Sequence, residues 1–225
     1  MPSISWPGAA AWYDRNAAAF AAAADAIDTA LLRDAFTAPI PRGGRILDIG
    51  CGSGRDLDAF LRAGFDATGL DPSAEMRRIS RARLALRGYT PSRVRDGAFE
   101  TLSADLRQDG IWCLASLLHV PVHAWQDTLR RLHACLSPGA PLLVSVKSGR
   151  GESTDASGRP MAAVDPARLA TMAGAAAPDL HISLQPTSSG TPLPPGTAMI
   201  WTDTSKDSRG ADVEWIKLLA RRNIE

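Results

Sequence analysis

The sequence has few lysines, few cysteines and no long apolar run, and each shortage argues against a class of protein. Lysine occurs only at Lys147, Lys206 and Lys217, and the formal net charge of the 225 residues is +1. A nucleic-acid binder of the usual electrostatic kind carries a basic surface, so we expect no nucleic-acid partner. No run of about 18 apolar residues occurs, and no basic segment leads into an apolar one near residue 1. We therefore expect no membrane association and a cytoplasmic location.

The three cysteines, Cys51, Cys113 and Cys135, are odd in number and show no C-x-x-C spacing. Such a set favours neither a disulfide framework nor a zinc site, so we expect no metal. With 45% apolar residues, the chain is long enough for one sizeable core. We expect a single domain, in which residues 1–40 form an N-terminal helical leader or lid and residues 41–225 form the main body.

Short apolar segments alternate with helical ones along the chain. Strands are predicted at 45–49, 65–70, 93–95, 110–115, 141–146, 180–184 and 213–220, and helices within 9–36, at 55–63, from 73, at 122–136 and at 166–172. This alternation predicts an α/β fold with a doubly wound sheet. Two Gly/Pro/Ser/Thr-rich segments, 148–160 and 186–197, interrupt it. Each is either a plain surface loop or a lid above the ligand crevice.

The most informative segment is Asp48-Ile49-Gly50-Cys51-Gly52-Ser53-Gly54, in which a strand ends in a carboxylate and gives way to three alternate glycines. Glycines let backbone N–H groups approach a ligand, and the following helix directs its positive end there. The next strand ends at Asp71, about 20 residues on, where a βαβ unit places the acid that binds a ribose diol. A carboxylate beside the turn disfavours a pyrophosphate and favours an ammonium or sulfonium group. The sequence therefore predicts a nucleotide-like cofactor with a cationic group.

This segment resembles the first motif of the class I S-adenosylmethionine-dependent methyltransferases. The resemblance implies S-adenosylmethionine as cofactor, S-adenosylhomocysteine as product, and a Rossmann-like sheet of seven mostly parallel strands with an antiparallel last strand. In that family the first acid approaches the methionine amino group and the second binds the ribose hydroxyls, roles that fall to Asp48 and Asp71. Helix capping is the alternative role for both residues.

Further motifs extend the resemblance. Residues 71–76 resemble the second motif, in which a methionine covers the adenine, although Met76 is equally suited to the core. Ala98 departs from the third motif, because many relatives have an adenine-binding acid there. Residues 109–121 resemble the fourth strand of small-molecule methyltransferases, and Tyr13 would close over the sulfonium. The implied cofactor-binding residues are Tyr13, Asp48, Gly50, Cys51, Gly52, Gly54, Asp71, Pro72, Met76, Ala98, Phe99, Leu114, Ala115 and Ser116.

We therefore expect an enzyme that methylates a small-molecule acceptor, with His119 as a candidate general base or, alternatively, a structural histidine. An NAD(P)-dependent reductase would need Tyr-x-x-x-Lys, but Ala17 and Arg93 follow the two tyrosines at that distance. Residues 115–118, Ala-Ser-Leu-Leu, lack the acid or Asn followed by Pro-Pro-aromatic that is typical of nucleic-acid methyltransferases. A non-catalytic or regulatory cofactor-binding relative stays open. The identity of the acceptor and the oligomeric state are not predicted by the sequence.

Overall fold

A computed structural model describes residues 5–103, 105–185, 193–206 and 211–224. Helices and strands alternate along these residues. The helices are α1 (Pro7–Asp25), α2 (Ala30–Thr37), α3 (Arg55–Arg62), α4 (Ala74–Leu86), α5 (Trp125–Ala134) and α6 (Pro166–Ala176). The strands are β1 (Arg45–Ile49), β2 (Asp66–Asp71), β3 (Val94–Asp96), β4 (Gly110–Leu114), β5 (Pro141–Ser148), β6 (Gly151–Thr154), β7 (Pro160–Val164), β8 (His181–Leu184), β9 (Thr197–Lys206) and β10 (Asp212–Arg221).

The strands form one sheet in the order β3-β2-β1-β4-β5-β10-β9-β8, with the β6–β7 hairpin attached to β5. Strands β3 to β5 pair in parallel along this order, whereas β10 is antiparallel to both β5 and β9. The doubly wound, mostly parallel α/β fold with an antiparallel last strand is therefore confirmed. In an open sheet of this kind, ligands bind beyond the carboxyl ends of the parallel strands.

The number of strands differs from the seven expected, because the described residues contain ten. Strands β6 and β7 form a hairpin across the segment 148–160, which its composition had indicated to be irregular. Strand β9 begins at Thr197 and pairs with β10 over ten residues. Cross-strand partners, rather than local alternation, make these segments strands. Residues 186–192 of the second Gly/Pro-rich segment lie outside the described residues.

Helices cover both faces of the sheet. On one face, α2 and α3 contribute Phe36 and Phe60, whose rings pack against the Trp112 ring of β4 at centroid distances of 5.2 and 5.4 Å. On the other face, α5 and α6 bury Trp125 and Leu169 completely. Burying a large apolar side chain stabilises a fold by about 1.5–3 kcal/mol. These contacts fix the strand ends that carry the candidate site.

Helix α1 is fastened across the carboxyl edge of the sheet by two acidic side chains. Asp14 accepts a hydrogen bond of 2.6 Å from the Ser73 hydroxyl, at the start of α4. Asp25 accepts one of 2.6 Å from the Ser53 hydroxyl in the glycine turn, and it also pairs with Arg83. The leader thus contacts the same turn and helix that the sequence assigns to ligand binding.

No helix within the described ranges has both the length and the apolar character needed to cross a membrane.

Candidate active site

A cavity of about 1100 Å³ opens at the carboxyl edge, bounded by α1, α2, the glycine turn and the ends of β2, β4 and β5. Small-molecule pockets occupy roughly 300–1,000 Å³, so this cavity has room for more than one ligand. It is lined by most of the residues that the sequence singled out: Tyr13, Asp48, Gly50, Cys51, Gly52, Asp71, Pro72, Met76, Ala98, Phe99, Leu114, Ala115, Ser116 and His119. Gly54 does not line it.

The three glycines of the turn all have left-handed backbones, with φ of +73°, +53° and +76° at Gly50, Gly52 and Gly54. Their surroundings differ. A Cβ atom on Gly50 would lie 2.4 Å from the Ser116 Cβ, and one on Gly54 would lie 2.2 Å from the Ser80 Oγ. A Cβ on Gly52 would meet nothing closer than a backbone oxygen at 4.0 Å. Gly50 and Gly54 are therefore required by packing, whereas Gly52 leaves open space at the cavity.

Asp71 is 6% exposed, and backbone N–H groups hold its carboxylate from two sides. The N–H groups of Gly52 and Ser73 each donate to it at 2.8 Å. Burial raises the pKa of Asp71 to about 6, against the opposing effect of these two hydrogen bonds and of Arg77. Ser73, not Asp71, caps α4 by accepting from the Met76 N–H. A carboxylate has about four acceptor positions, so Asp71 keeps acceptor capacity for a ligand.

Asp48 is 3% exposed, and no side-chain or backbone group of the described residues donates a hydrogen bond to its carboxylate. Burial raises its pKa well above the ordinary value, and the nearby carboxylates of Asp56 and Asp71 add to the effect while Arg55 opposes it. Gly54, not Asp48, is the residue at the N-cap of α3. A buried carboxylate without a partner is unstable as an anion, so this site favours a ligand with positive charge.

Tyr13 and His119 form a hydrogen-bonded pair in the cavity wall. The His119 Nδ1 lies 2.9 Å from the Pro160 carbonyl oxygen, which only accepts, so Nδ1 carries the proton. Nε2 then accepts the hydrogen bond of 2.8 Å from the Tyr13 hydroxyl. Burial lowers the pKa of His119 to about 4, and it also raises the pKa of Tyr13. Both side chains are therefore neutral at pH 7.

Arg159 lies beside this pair and was not anticipated from the sequence. Its guanidinium is 4.7 Å from the ring centroid of Trp12, and it donates to the Tyr13 hydroxyl at 3.3 Å. Asp155 pairs with it at 3.3 Å, and the Trp12 indole donates to the Ser157 carbonyl at 2.8 Å. These contacts attach the turn of the β6–β7 hairpin to α1. The only sequence signal would have been an arginine in a segment that the composition assigns to a loop.

The chain leaves β4 through a strained residue. Ala115 has a φ of +54°, the only positive φ among the described non-glycine residues. Left-handed backbone costs about 1–2 kcal/mol for such a residue, and strain of this kind concentrates at functional sites. Beyond it, the Ser116 hydroxyl donates to the Ile49 carbonyl at 2.7 Å, and a single 3-10 turn places His119 at the cavity.

Comparison with protein families places these features in context. The family model described as "Methyltransferase domain" matches residues 13–187. A ubiquinone biosynthesis O-methyltransferase of Klebsiella pneumoniae is 30% identical over 115 residues, which are 49% of this chain and 46% of that protein. The chain thus matches about half the length of this curated relative.

Solved structures show the same fold at lower identity. A 1,6-didemethyltoxoflavin-N1-methyltransferase of Burkholderia thailandensis, with bound 1,6-didemethyltoxoflavin and S-adenosylhomocysteine, matches with a TM-score of 0.61 and 22% identity, covering 99% of this chain and 92% of that one. The 4+2 cyclase SpnF matches with a TM-score of 0.64 and 17% identity, covering 96% and 95%. At these identities the likeness shows the fold alone.

The environment of Asp48 predicts that its charge destabilises the ligand-free protein. The pKa of Asp48 is higher in the folded state than in the unfolded chain, where it is about 4. The stability of the protein therefore falls as the pH rises above about 4. Asp48→Asn should therefore raise the Tm at pH 7.5, by about 2–4 °C if the gain is near 1 kcal/mol. The gain should shrink at pH 4, and differential scanning calorimetry at both values checks it.

Asp56 provides the matched control. Burial opposes its ionisation, but hydrogen bonds from Arg55, Thr29 and Arg33 outweigh burial and lower its pKa. Asp56→Asn should accordingly lower the Tm at pH 7.5. An equal loss of stability in Asp48→Asn and Asp56→Asn would show that Asp48 is an ordinary structural acid.

Proposed function

Because the chain belongs to the class I S-adenosylmethionine-dependent methyltransferases, we propose that it transfers a methyl group from S-adenosylmethionine to a small-molecule acceptor. The observation that carries this proposal is one cavity that joins a glycine turn, two buried carboxylates and a neutral Tyr–His pair. The names of the relative and of the toxoflavin-modifying neighbour support a small-molecule acceptor. Cytoplasmic location stays a prediction.

The residues present suit this cofactor. Gly52 leaves open space for the cofactor beside the turn. Asp71 retains acceptor positions for two ribose hydroxyls. Asp48, a buried carboxylate without a donor among the described residues, would hold the positively charged amino group. Met76 and Phe99 would flank the adenine, with Ala98 leaving room where an acid stands in other members. When bound, S-adenosylmethionine supplies a methyl group activated by a positively charged sulfur.

Tyr13 and His119 are placed to take up the proton that the acceptor loses. The Tyr13 oxygen can accept a hydrogen bond from an acceptor O–H or N–H while its own proton points at the His119 Nε2. As the acceptor attacks the methyl group, Tyr13 would take up the proton that the acceptor loses and would pass its own proton to the His119 Nε2. General-base assistance of this kind contributes about 100- to 10,000-fold, in addition to alignment of the reactants.

Besides carrying Tyr13, the N-terminal leader would exclude water from the cavity. Residues 1–40 contribute α1 and α2 to the cavity wall, and the β6–β7 turn is attached to α1 through Arg159. We assign these segments to a lid that shields the sulfonium group during transfer.

Asp71→Ala should weaken binding of S-adenosylmethionine by about 10- to 150-fold, because a charge-assisted hydrogen bond is worth about 1.5–3 kcal/mol. In the parent protein the affinity should fall as the pH drops below about 6, where Asp71 takes up a proton. Asp71→Asn should lack this part of the pH dependence. Titration calorimetry from pH 5 to pH 8 measures both effects. An unchanged dissociation constant in a folded Asp71→Ala protein would contradict the assignment.

Gly52→Val should abolish cofactor binding while the protein stays folded, because the added side chain enters the cavity rather than the core. Gly43 is the matched control. It is exposed, has a φ of +74°, and has open space where a Cβ would stand, so Gly43→Val imposes the same backbone strain away from the site. Calorimetry should show normal binding for Gly43→Val and none for Gly52→Val. Equal binding by both variants would show that Gly52 serves only to form the turn.

For the Tyr–His pair, 15N NMR of the histidine ring should show a proton on Nδ1 and none on Nε2 at pH 7, with titration only near pH 4. Tyr13→Phe should shift the Nε2 resonance, whereas Tyr89→Phe, at a tyrosine outside the cavity, should not. With any acceptor that the enzyme methylates, Tyr13→Phe should lower kcat by about 100-fold or more and leave cofactor affinity nearly unchanged. Normal turnover in Tyr13→Phe would rule out the proton-transfer role.

A further inference from the structure

Two adjacent residues of the β6–β7 hairpin, Arg159 and Pro160, contact opposite ends of the Tyr13–His119 pair. The Arg159 guanidinium donates to the Tyr13 phenol oxygen at 3.3 Å. The Pro160 carbonyl oxygen accepts from the His119 Nδ1 at 2.9 Å, and the Tyr13 hydroxyl donates to Nε2 between them. The three hydrogen bonds therefore run in one direction, from Arg159 through Tyr13 and His119 to Pro160.

The chemistry of the two ends fixes this direction. A guanidinium group only donates hydrogen bonds, and a carbonyl oxygen only accepts them. Arg159 therefore contacts a lone pair of the Tyr13 oxygen and not its proton, which points at His119 instead. Within the pair a proton can move in one direction only, from Tyr13 to His119.

The Arg159 guanidinium has little freedom to move. Asp155 contacts it at 3.3 Å, and the two side chains are only 5% and 6% exposed. The guanidinium carbon lies 4.7, 5.7 and 5.9 Å from the ring centroids of Trp12, Phe20 and Tyr13, all on α1. Cation–π contacts and a charge-assisted pair together hold the group in one place.

The Arg159–Asp155 pair also keeps its charges. Burial opposes ionisation of Asp155, but hydrogen bonds from Ser157 and Arg159 outweigh burial and lower its pKa to about 2. A guanidinium stays protonated in proteins. A permanent cation therefore stands in hydrogen-bond contact with the Tyr13 oxygen.

This cation acts on both members of the Tyr13–His119 pair. Burial raises the pKa of Tyr13, and Arg159 opposes burial by stabilising the phenolate. Burial lowers the pKa of His119, and Arg159 adds to this effect. The cation thus favours negative charge on the Tyr13 oxygen and makes a proton on His119 easy to release. The other charged groups that act on the pair are Asp71, Asp155 and Lys147.

We propose that Arg159 is a positioning residue for methyl transfer, which acts through Tyr13 by holding its oxygen and stabilising the negative charge that the oxygen bears as protons pass. The inference rests on the proposed function, because it concerns the proton step of that reaction.

In that step a lone pair of the acceptor forms the bond to the methyl carbon, and the carbon–sulfur bond breaks with its electron pair left on sulfur. The acceptor's proton goes to the Tyr13 oxygen, and the phenol proton goes to the His119 Nε2. The Tyr13 oxygen is negatively charged to the extent that its own proton leaves before the other arrives, and Arg159 stabilises that charge.

The test measures ionisation of Tyr13 in the full chain. The sequence contains two tyrosines, so Tyr89→Phe leaves Tyr13 as the only one. Asp155→Asn is added throughout, because loss of Arg159 alone would leave a buried carboxylate without its partner. Ultraviolet difference absorbance follows the phenolate as the pH is raised, and circular dichroism checks the fold at each pH. In this background Arg159→Met should raise the pKa of Tyr13 by about 1 pH unit or more, the effect of one charge-assisted hydrogen bond.

A purely structural role predicts the opposite sign. If Arg159 only fastened the hairpin turn to α1, Arg159→Met would let water reach the phenol, and the pKa of Tyr13 would fall toward about 10. Arg150, an exposed arginine between β5 and β6, is the matched control. Arg150→Met should leave the pKa of Tyr13 unchanged.

Two further variants complete the series. Arg159→Lys keeps a cation and a donor and should restore part of the difference between Arg159→Met and the background. Arg159→Gln removes the charge but keeps a polar side chain, so it replaces Arg159→Met if that variant does not fold. It should also raise the pKa of Tyr13.

Calorimetry with S-adenosylhomocysteine on the parent protein separates the two proposals. If S-adenosylhomocysteine does not bind, the proposed function fails. If it binds, but removal of the Arg159 charge lowers the pKa of Tyr13 or leaves it unchanged, the positioning role is overturned while cofactor binding stands.

Discussion

The structure depends on keeping two carboxylates, Asp48 and Asp71, out of water at the ends of adjacent parallel strands. Burial makes the charged form of each unfavourable, and both pKa values are raised as a result. The glycine turn stabilises the Asp71 carboxylate, because the backbone of the turn comes close enough for the Gly52 N–H to donate a hydrogen bond to it. Asp48 receives no such help from the described residues. In the proposed function, a cationic ligand would neutralise this buried carboxylate, and the turn, the acids and helix α1 would act together to hold that ligand.

The parallel core could be predicted from the sequence because its signals are local. Strand β1 matches its predicted range, and the acids and glycines follow directly from it in the sequence. Strand β9 and the β6–β7 hairpin could not be predicted in this way. Polar or small residues make up β6, whereas β7 and β9 mix them with large apolar ones, without a regular alternation. These segments become strands through pairing with partners that lie far away in the sequence or across a turn. Propensity read along a chain carries no information about such partners.

The same distinction applies within the candidate site. Residues that belong to a motif could be placed from spacing, but their individual tasks could not. Gly54 belongs to the motif yet lies against Ser80, and the Ser116 hydroxyl is occupied by the Ile49 carbonyl. Arg159 belongs to no motif, and its position in the cavity depends on folding of the β6–β7 hairpin. Asp203 and Trp215 belong to a C-terminal part of the chain that also resembles small-molecule methyltransferases, but only the β9–β10 register places them opposite one another.

The contact between Arg159 and helix α1 has a consequence for timing. Tyr13 belongs to α1, and its hydroxyl contacts both the His119 Nε2 at 2.8 Å and the Arg159 guanidinium at 3.3 Å. In the proposed lid, a motion that carries α1 away from the cavity to admit a ligand would also take the Tyr13 phenol away from the His119 imidazole. An open molecule would therefore lack the proposed proton-transfer pair. The methyl acceptor would then find a group to take its proton only after the entrance had closed, so that entry of ligands and methyl transfer would occur in different states of the molecule.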